Sequence, residues 1–225
     1  MNARQDEMHI PLWQQGLSAR VNVPPHSGSA IVIATGAEPQ LERVLTTALH
    51  DAGHGVIELG LLTPLEQRID HLNRRQSADA DKMAARLLFA AEHLAAHPVT
   101  DDLPLAFLGV GPYAAAALIA AAAHPEPARL ATVVCIGGRT ALAGDAIAHV
   151  PVPVLLVAGG HDYPSLRMNR DAYDQLPEGT SLEVLSATTA QLTTSPAREE
   201  VLRLVTHWFD GRFGAKALPG RASAH

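Results

Sequence analysis

Leu103-Pro104-Leu105-Ala106-Phe107-Leu108-Gly109-Val110-Gly111-Pro112-Tyr113-Ala114-Ala115-Ala116-Ala117 contains a change of period that decides the fold. Up to Gly109 the apolar residues run without a polar break, as in a strand buried on both faces. Beyond two closely spaced glycines, Pro112 to Ala123 reads as an alanine-rich helix closed by His124-Pro125, with the proline at a position that suits the first helical residue. Small side chains along Ala114 to Ala117 let such a helix lie close on a sheet. Gly109-Val110-Gly111-Pro112-Tyr113 is thus a tight strand-to-helix turn.

The same alternation extends in both directions. Upstream, Ala30–Ala34 is a short buried strand ending at Gly36. Leu41, Val44, Leu45, Ala48 and Ala52 then recur at helical spacing, and Gly53 stands where a left-handed cap belongs. Val56–Leu62 is the next strand, closed by Thr63-Pro64, and residues 65–78 read as a long polar connection. Asp79–His97 carries the clearest helical stripe, stopped by Pro98. Downstream come the strand Leu130–Ile136, the strand Val152–Val157, the helix Leu166–Leu176, the strand Leu182–Leu185 and the helix Pro196–Phe209. Strands alternating with helices predict a mostly parallel sheet with helices on both faces. The first 28 residues add one or two antiparallel edge strands around Ile10 and Val21. Residues 1–213 are expected to form one domain and 214–225 a flexible tail.

Composition narrows the classes of function. With 225 residues, 47% hydrophobic and 18% charged, the chain can bury one sizeable core. Its formal charge of −6 comes from 17 basic and 23 acidic side chains without a basic run, so no nucleic-acid partner is expected. A lone Cys135 and a start without a signal-peptide core point to a reduced, cytoplasmic protein. No apolar run approaches the ~20 residues of a membrane span. The 12 histidines are scattered, and neither a metal nor a cofactor is expected.

Several strings share an order that resembles one family. They are Leu61-Leu62-Thr63-Pro64, the turn and helix Gly109–Ala117, Gly137-Gly138-Arg139 with Leu142-Ala143-Gly144, and Val154-Leu155-Leu156-Val157-Ala158-Gly159-Gly160-His161-Asp162. Together, over about residues 18–212, they resemble the dienelactone-hydrolase-like branch of the α/β-hydrolases. That resemblance implies a mostly parallel sheet of about seven to eight strands and a nucleophile, acid and histidine in that chain order. Carried over, the acid falls on Asp162, and the nucleophile of G-x-S-x-G falls on Gly111. The residue that should lend its N–H to the oxyanion hole falls on Pro112, which has none. The histidine should follow the last strand, where Thr188, Thr189 and Ala190 stand; Thr189 is taken as the vestigial position. The first oxyanion loop is Ala34-Thr35-Gly36-Ala37-Glu38 instead of His-Gly and small residues, and an inward Glu38 would oppose an oxyanion. Of the later histidines, His207 lies opposite the apolar stripe of the last helix and His225 in the tail.

The family pattern therefore predicts a catalytically degenerate hydrolase fold that acts by binding a small molecule or a partner protein. Thr35, Gly36, Pro112, Tyr113, Arg139 and His161 are the cleft candidates. The alternative is an unconventional hydrolase of ester, lactone or thioester substrates built on Asp162, His161 and Arg139. Relatives in this branch also occur joined to phosphoribosyltransferase-like sequences, which makes such a protein a partner; a homo-oligomer is equally compatible. Other groups have plainer readings. Cys135 fills a buried strand end, His50 and His54 make a chance surface pair across Gly53, and Asp162 serves as a structural acceptor for backbone N–H groups. Arg139 either binds an anion or closes an internal ion pair. Tyr113, large where the pattern expects glycine, fills the former pocket or lines a reshaped one.

Overall fold

The structure is a computed structural model that describes residues 4–10, 16–73, 75–188, 192–194 and 196–214. Eight strands form one sheet: β1 (Arg4–Ile10), β2 (Leu17–Val23), β3 (Ala30–Thr35), β4 (Gly55–Gly60), β5 (Leu105–Val110), β6 (Leu130–Ile136), β7 (Val154–Gly159) and β8 (Ser181–Leu185). Their spatial order is β1-β2-β4-β3-β5-β6-β7-β8. β2 runs against the other seven, pairing antiparallel with β1 and with β4; every other pairing is parallel. The expected antiparallel edge is therefore present at the N-terminal side of a parallel sheet.

Among the described residues six α-helices connect and cover it: α1 (Pro39–Asp51), α2 (Pro64–Asn73), α3 (Ala80–Ala95), α4 (Tyr113–Ala122), α5 (Tyr163–Tyr173) and α6 (Ala197–Phe213), with 3-10 turns at Pro127–Arg129 and Thr140–His149. Side chains alternate across the strands, so the two faces build two cores. Val32, Ile57, Phe107, Val133 and Leu156 point to the face of α3 and α4. Ile31, Ile33, Leu108, Val134 and Val157 point to the face of α1 and α6. The predominance of apolar residues in the central strands follows, because both faces are covered.

Helix ends follow local chemistry. α1 closes with the Gly53 N–H on the His50 carbonyl and the His54 N–H on the Leu49 carbonyl, with Gly53 at φ 88°. This paired closure is the left-handed cap expected there. Asp79 caps α3 through the Lys82 N–H. Five expectations need correction. Residues 65–78 are mostly helix α2, whose apolar Leu65, Ile69 and Leu72 face solvent, which hid the inward face from a hydrophobic pattern. Pro112 caps α4 rather than opening it. α5 starts at Tyr163, three residues early, because Asp162 caps it, and α6 runs to Phe213. His54 is buried, not on the surface.

Candidate functional site

The turn after β5 is built by glycines that permit close approach. A Cβ at Gly109 would lie 2.3 Å from the Tyr113 carbonyl oxygen, so only glycine lets α4 fold back on its own strand. Gly111 follows at φ 56°, its N–H bonded to the Ile136 carbonyl at 2.9 Å. A Cβ on Gly111 would meet nothing within 4 Å, so the turn has space for a side chain there and none in place. The Gly137-Gly138 turn after β6 presses on it; a Cβ at Gly138 would fall 2.1 Å from the Gly111 oxygen.

The loop between β3 and α1, where the family resemblance places an oxyanion donor, is closed from within. The N–H groups of Gly36, Ala37 and Glu38 all donate to the carboxylate of Glu42, at 2.9, 2.9 and 2.8 Å. Glu42 is 3% exposed; burial raises its pKa and the three N–H bonds pull it back only in part. Glu38, which would oppose an oxyanion only if it pointed inward, is exposed. Glu42 escaped the sequence reading, although a glutamate in the first turn of a helix is a recognisable capping signal. Pro112 supplies no N–H from the other side.

Asp162 stands at the C-terminal end of β7, on the same sheet edge as Gly111, because β5 and β7 both run parallel to the β6 between them. Its Oδ1 accepts the Ser165 N–H at 3.3 Å and so caps α5. Ser165 Oγ and Asn169 Nδ2 in turn donate to the Gly138 carbonyl. His161 and Arg139 are exposed, and Arg139 has no carboxylate partner among the described residues. Thr188 is half-buried after β8; Thr189, Ala190 and the 215–225 tail lie outside the described residues. His207 is exposed on α6.

A cavity of about 320 Å³ opens beside this edge, displaced toward the β2 side. Ser18, Thr35, Gly36, Gly60, Asp70 and Tyr113 are among its walls. Three cleft candidates therefore meet there, Thr35, Gly36 and Tyr113, while Pro112, Arg139 and His161 do not line it. Tyr113 is fully buried, and its hydroxyl would lie 3.6 Å from a Cβ on Gly36. It fills the space between the turn and the first loop and forms the cavity's floor.

One serine–histidine–aspartate chain does occur, at the other end of the sheet. Ser29 Oγ lies 3.0 Å from His54 Nδ1, and His54 Nε2 lies 3.1 Å from Asp210 Oδ1. Ser29 precedes β3 and is fully buried, so no substrate can reach it. Its work is structural. Cys135 is also fully buried, its thiol pushed far above the ordinary range by desolvation, with Sγ 3.5 Å from the Ala114 carbonyl. Among the described residues no cluster of His, Cys, Asp or Glu is placed to hold a metal, and no helix is long and apolar enough to cross a membrane.

No family model matches the chain. A dienelactone hydrolase from Anabaena variabilis, by contrast, superposes with a TM-score of 0.85 at 30% identity, covering 94% of this chain and 99% of that one. An esterase of Pyrococcus furiosus superposes at 0.73 with 12% identity over 94% and 92% of the two chains, a likeness of fold alone. Among curated proteins, two provisionally named phosphoribosyl transferases of Mycobacterium tuberculosis are 31% identical over 210 residues, 92% of this chain. The chain spans 46% of their length.

Proposed function

The chain belongs to the dienelactone-hydrolase-like branch of the α/β-hydrolases, and from that premise we propose that it is a catalytically degenerate member that acts by binding. The observation that carries this reading is Gly111: the position from which the family's nucleophile attacks has room for a side chain and none in place. Without a nucleophile no acyl-enzyme can form. The surroundings support the same reading. Pro112 withholds one oxyanion donor, and Glu42 takes up three N–H groups of the first loop, which are then not available to an oxyanion. Asp162 spends its Oδ1 on the cap of α5.

The test is a panel of p-nitrophenyl and thiophenyl esters and lactones against purified protein and a heat-denatured control. Equal rates are expected. Turnover that survives stringent purification and disappears in Asp162→Asn would instead favour the hydrolase built on Asp162, His161 and Arg139. A second reading rests on the curated relatives, in which a chain like this one makes up about half of a longer protein. On that reading the chain works beside a phosphoribosyltransferase-like partner, and co-expression with such a domain followed by size-exclusion chromatography would give a co-eluting pair.

A further inference from the structure

Helix α2 presents its apolar side to solvent. Leu65, Ile69 and Leu72, spaced i, i+4 and i+7, stand on its outer side at 46%, 38% and 87% exposure, where charged and polar residues ordinarily face water. The polar side is held against the protein instead. Glu66 takes two bonds from Arg86, at 2.6 and 2.9 Å, pairs with Lys82 at 2.7 Å and accepts the Thr63 N–H at 2.9 Å. Arg86 also donates to the Leu61 carbonyl at 2.7 Å, and Asp70 Oδ1 accepts the N–H groups of Gln76 and Ser77 at 2.8 and 2.9 Å. Turning α2 to bury its leucines would break these contacts, so the stripe is fixed outward.

An apolar stripe held outward by a charged network has the form of a surface that another protein covers. Size and charge decide which protein. A ten-residue helix is about 15 Å long and about 10 Å across, which gives its outer side on the order of 150 Å². A stable free complex needs roughly 800 Å² per partner. The stripe is therefore too small to hold a second copy by itself, and it suits a partner kept close by a covalent link. The curated relatives have that arrangement: a chain like this one makes up 46% of their length, and the rest belongs to the same polypeptide. Arg68 borders the stripe, exposed and without a hydrogen bond or ion pair among the described residues. Two copies meeting on this helix about a two-fold axis would bring Arg68 toward Arg68, whereas a surface carrying carboxylates would match it.

We infer that Leu65, Ile69 and Leu72 of α2 form the docking face for the domain that accompanies this fold in the longer relatives, and that this domain meets it with an apolar patch bordered by carboxylates. The inference rests on the second reading above and deepens it by naming the face and the chemistry of the partner surface.

The test compares the 225 residues alone with a single chain in which they replace the matching half of the Mycobacterium tuberculosis relative. Leu72→Cys places a thiol on the stripe, and Val184→Cys places one on β8, 43% exposed at the far edge of the sheet. The native Cys135 is fully buried and stays silent. Maleimide labelling is followed by peptide mass, and circular dichroism melts check that each variant is folded. Leu72→Cys is expected to react about tenfold more slowly in the joined chain than alone, and Val184→Cys at the same rate in both. Adding Arg68→Glu to the joined Leu72→Cys chain should restore the fast rate; a rate that stays slow overturns the carboxylate border. Equal rates at Leu72→Cys in the two proteins overturn the inference. The second reading survives that result if Val184→Cys is the protected site or if the co-expressed pair still co-elutes, and both fall if neither occurs. Slow labelling of Leu72→Cys in the chain alone that speeds up on dilution would assign the stripe to a second copy, and protection by phosphatidylglycerol vesicles would assign it to a lipid surface. Either result overturns the inference.

Discussion

A positive φ with empty space beyond it makes Gly111 an unusual place to lose a side chain. The backbone there, at φ 56°, is one that serine adopts under strain and glycine adopts freely. Gly111→Ser is accordingly expected to fold, with a loss of about 1 kcal/mol, a shift of about 2–4 °C in a domain of this size. It should show no esterase activity, because the serine would lack a base and Pro112 would still present no N–H. Adding Pro112→Ala and Thr189→His restores the family's parts by name, yet at most weak turnover is expected, since the Glu42 carboxylate still holds the first loop's donors. A good esterase from Gly111→Ser alone would contradict the degenerate reading. Cys135 makes a second expectation. With its thiol fully buried and its ionisation suppressed, it should not react with an aromatic disulfide reagent in native protein and should react in denaturant. Rapid native labelling would mean that β6 opens far more readily than its packing indicates.

At the scale of elements, the loop between β3 and α1 owes its shape to one side chain. Glu42 satisfies three N–H groups on a partly exposed loop, so Glu42→Ala would take their common acceptor away and leave them to whatever water can reach them. A loss of at least ~2 kcal/mol is expected from a urea melt, taking the lower end of the cost per orphaned donor and allowing for water entry. An unchanged midpoint would show that the loop is held by something else. This contact was hidden from the sequence because it depends on how Gly36, at φ 115°, curls the loop back onto its own helix. The turn after β5 was legible for the opposite reason: two glycines, a proline and a switch from an unbroken apolar run to alanines leave few other conformations. α2 was misread because periodicity is informative only when the apolar face is the buried one. In α2 the buried residue is Asp70 and Glu66 is half-buried, while Leu72 is 87% exposed, so polarity and burial are inverted. The cavity depends on that inversion, and none of Ser18, Gly60 and Asp70 was singled out in advance.

Across the whole molecule, residues far apart in sequence are tied at the edge opposite the site. His54 joins Ser29, before β3, to Asp210 on α6, and its ring lies 6.1 Å from Phe209 and 6.0 Å from Phe213. Burial lowers its pKa below the ordinary 6.5, and Asp210, the charged group facing it, recovers only part of the shift. The unfolded chain therefore takes up a proton at His54 before the folded protein does. Stability from this group is complete above about pH 6.5 and is lost as the pH falls from there toward the lowered folded value. His124, depressed mainly by burial, adds in the same direction. Urea midpoints should fall between pH 7 and pH 5.5, and His54→Gln should flatten that fall by up to one proton's worth, about 1.4 kcal/mol per pH unit at the steepest. Asp210→Asn should act differently. It removes the attraction that favours the imidazolium, so the folded His54 resists protonation further and the pH-dependent loss extends to more acid conditions. If His54→Gln leaves the slope between pH 7 and pH 5.5 as steep as in the wild type, His54 does not couple α6 to the sheet through its protonation, and the dependence belongs to His124 and the remaining histidines.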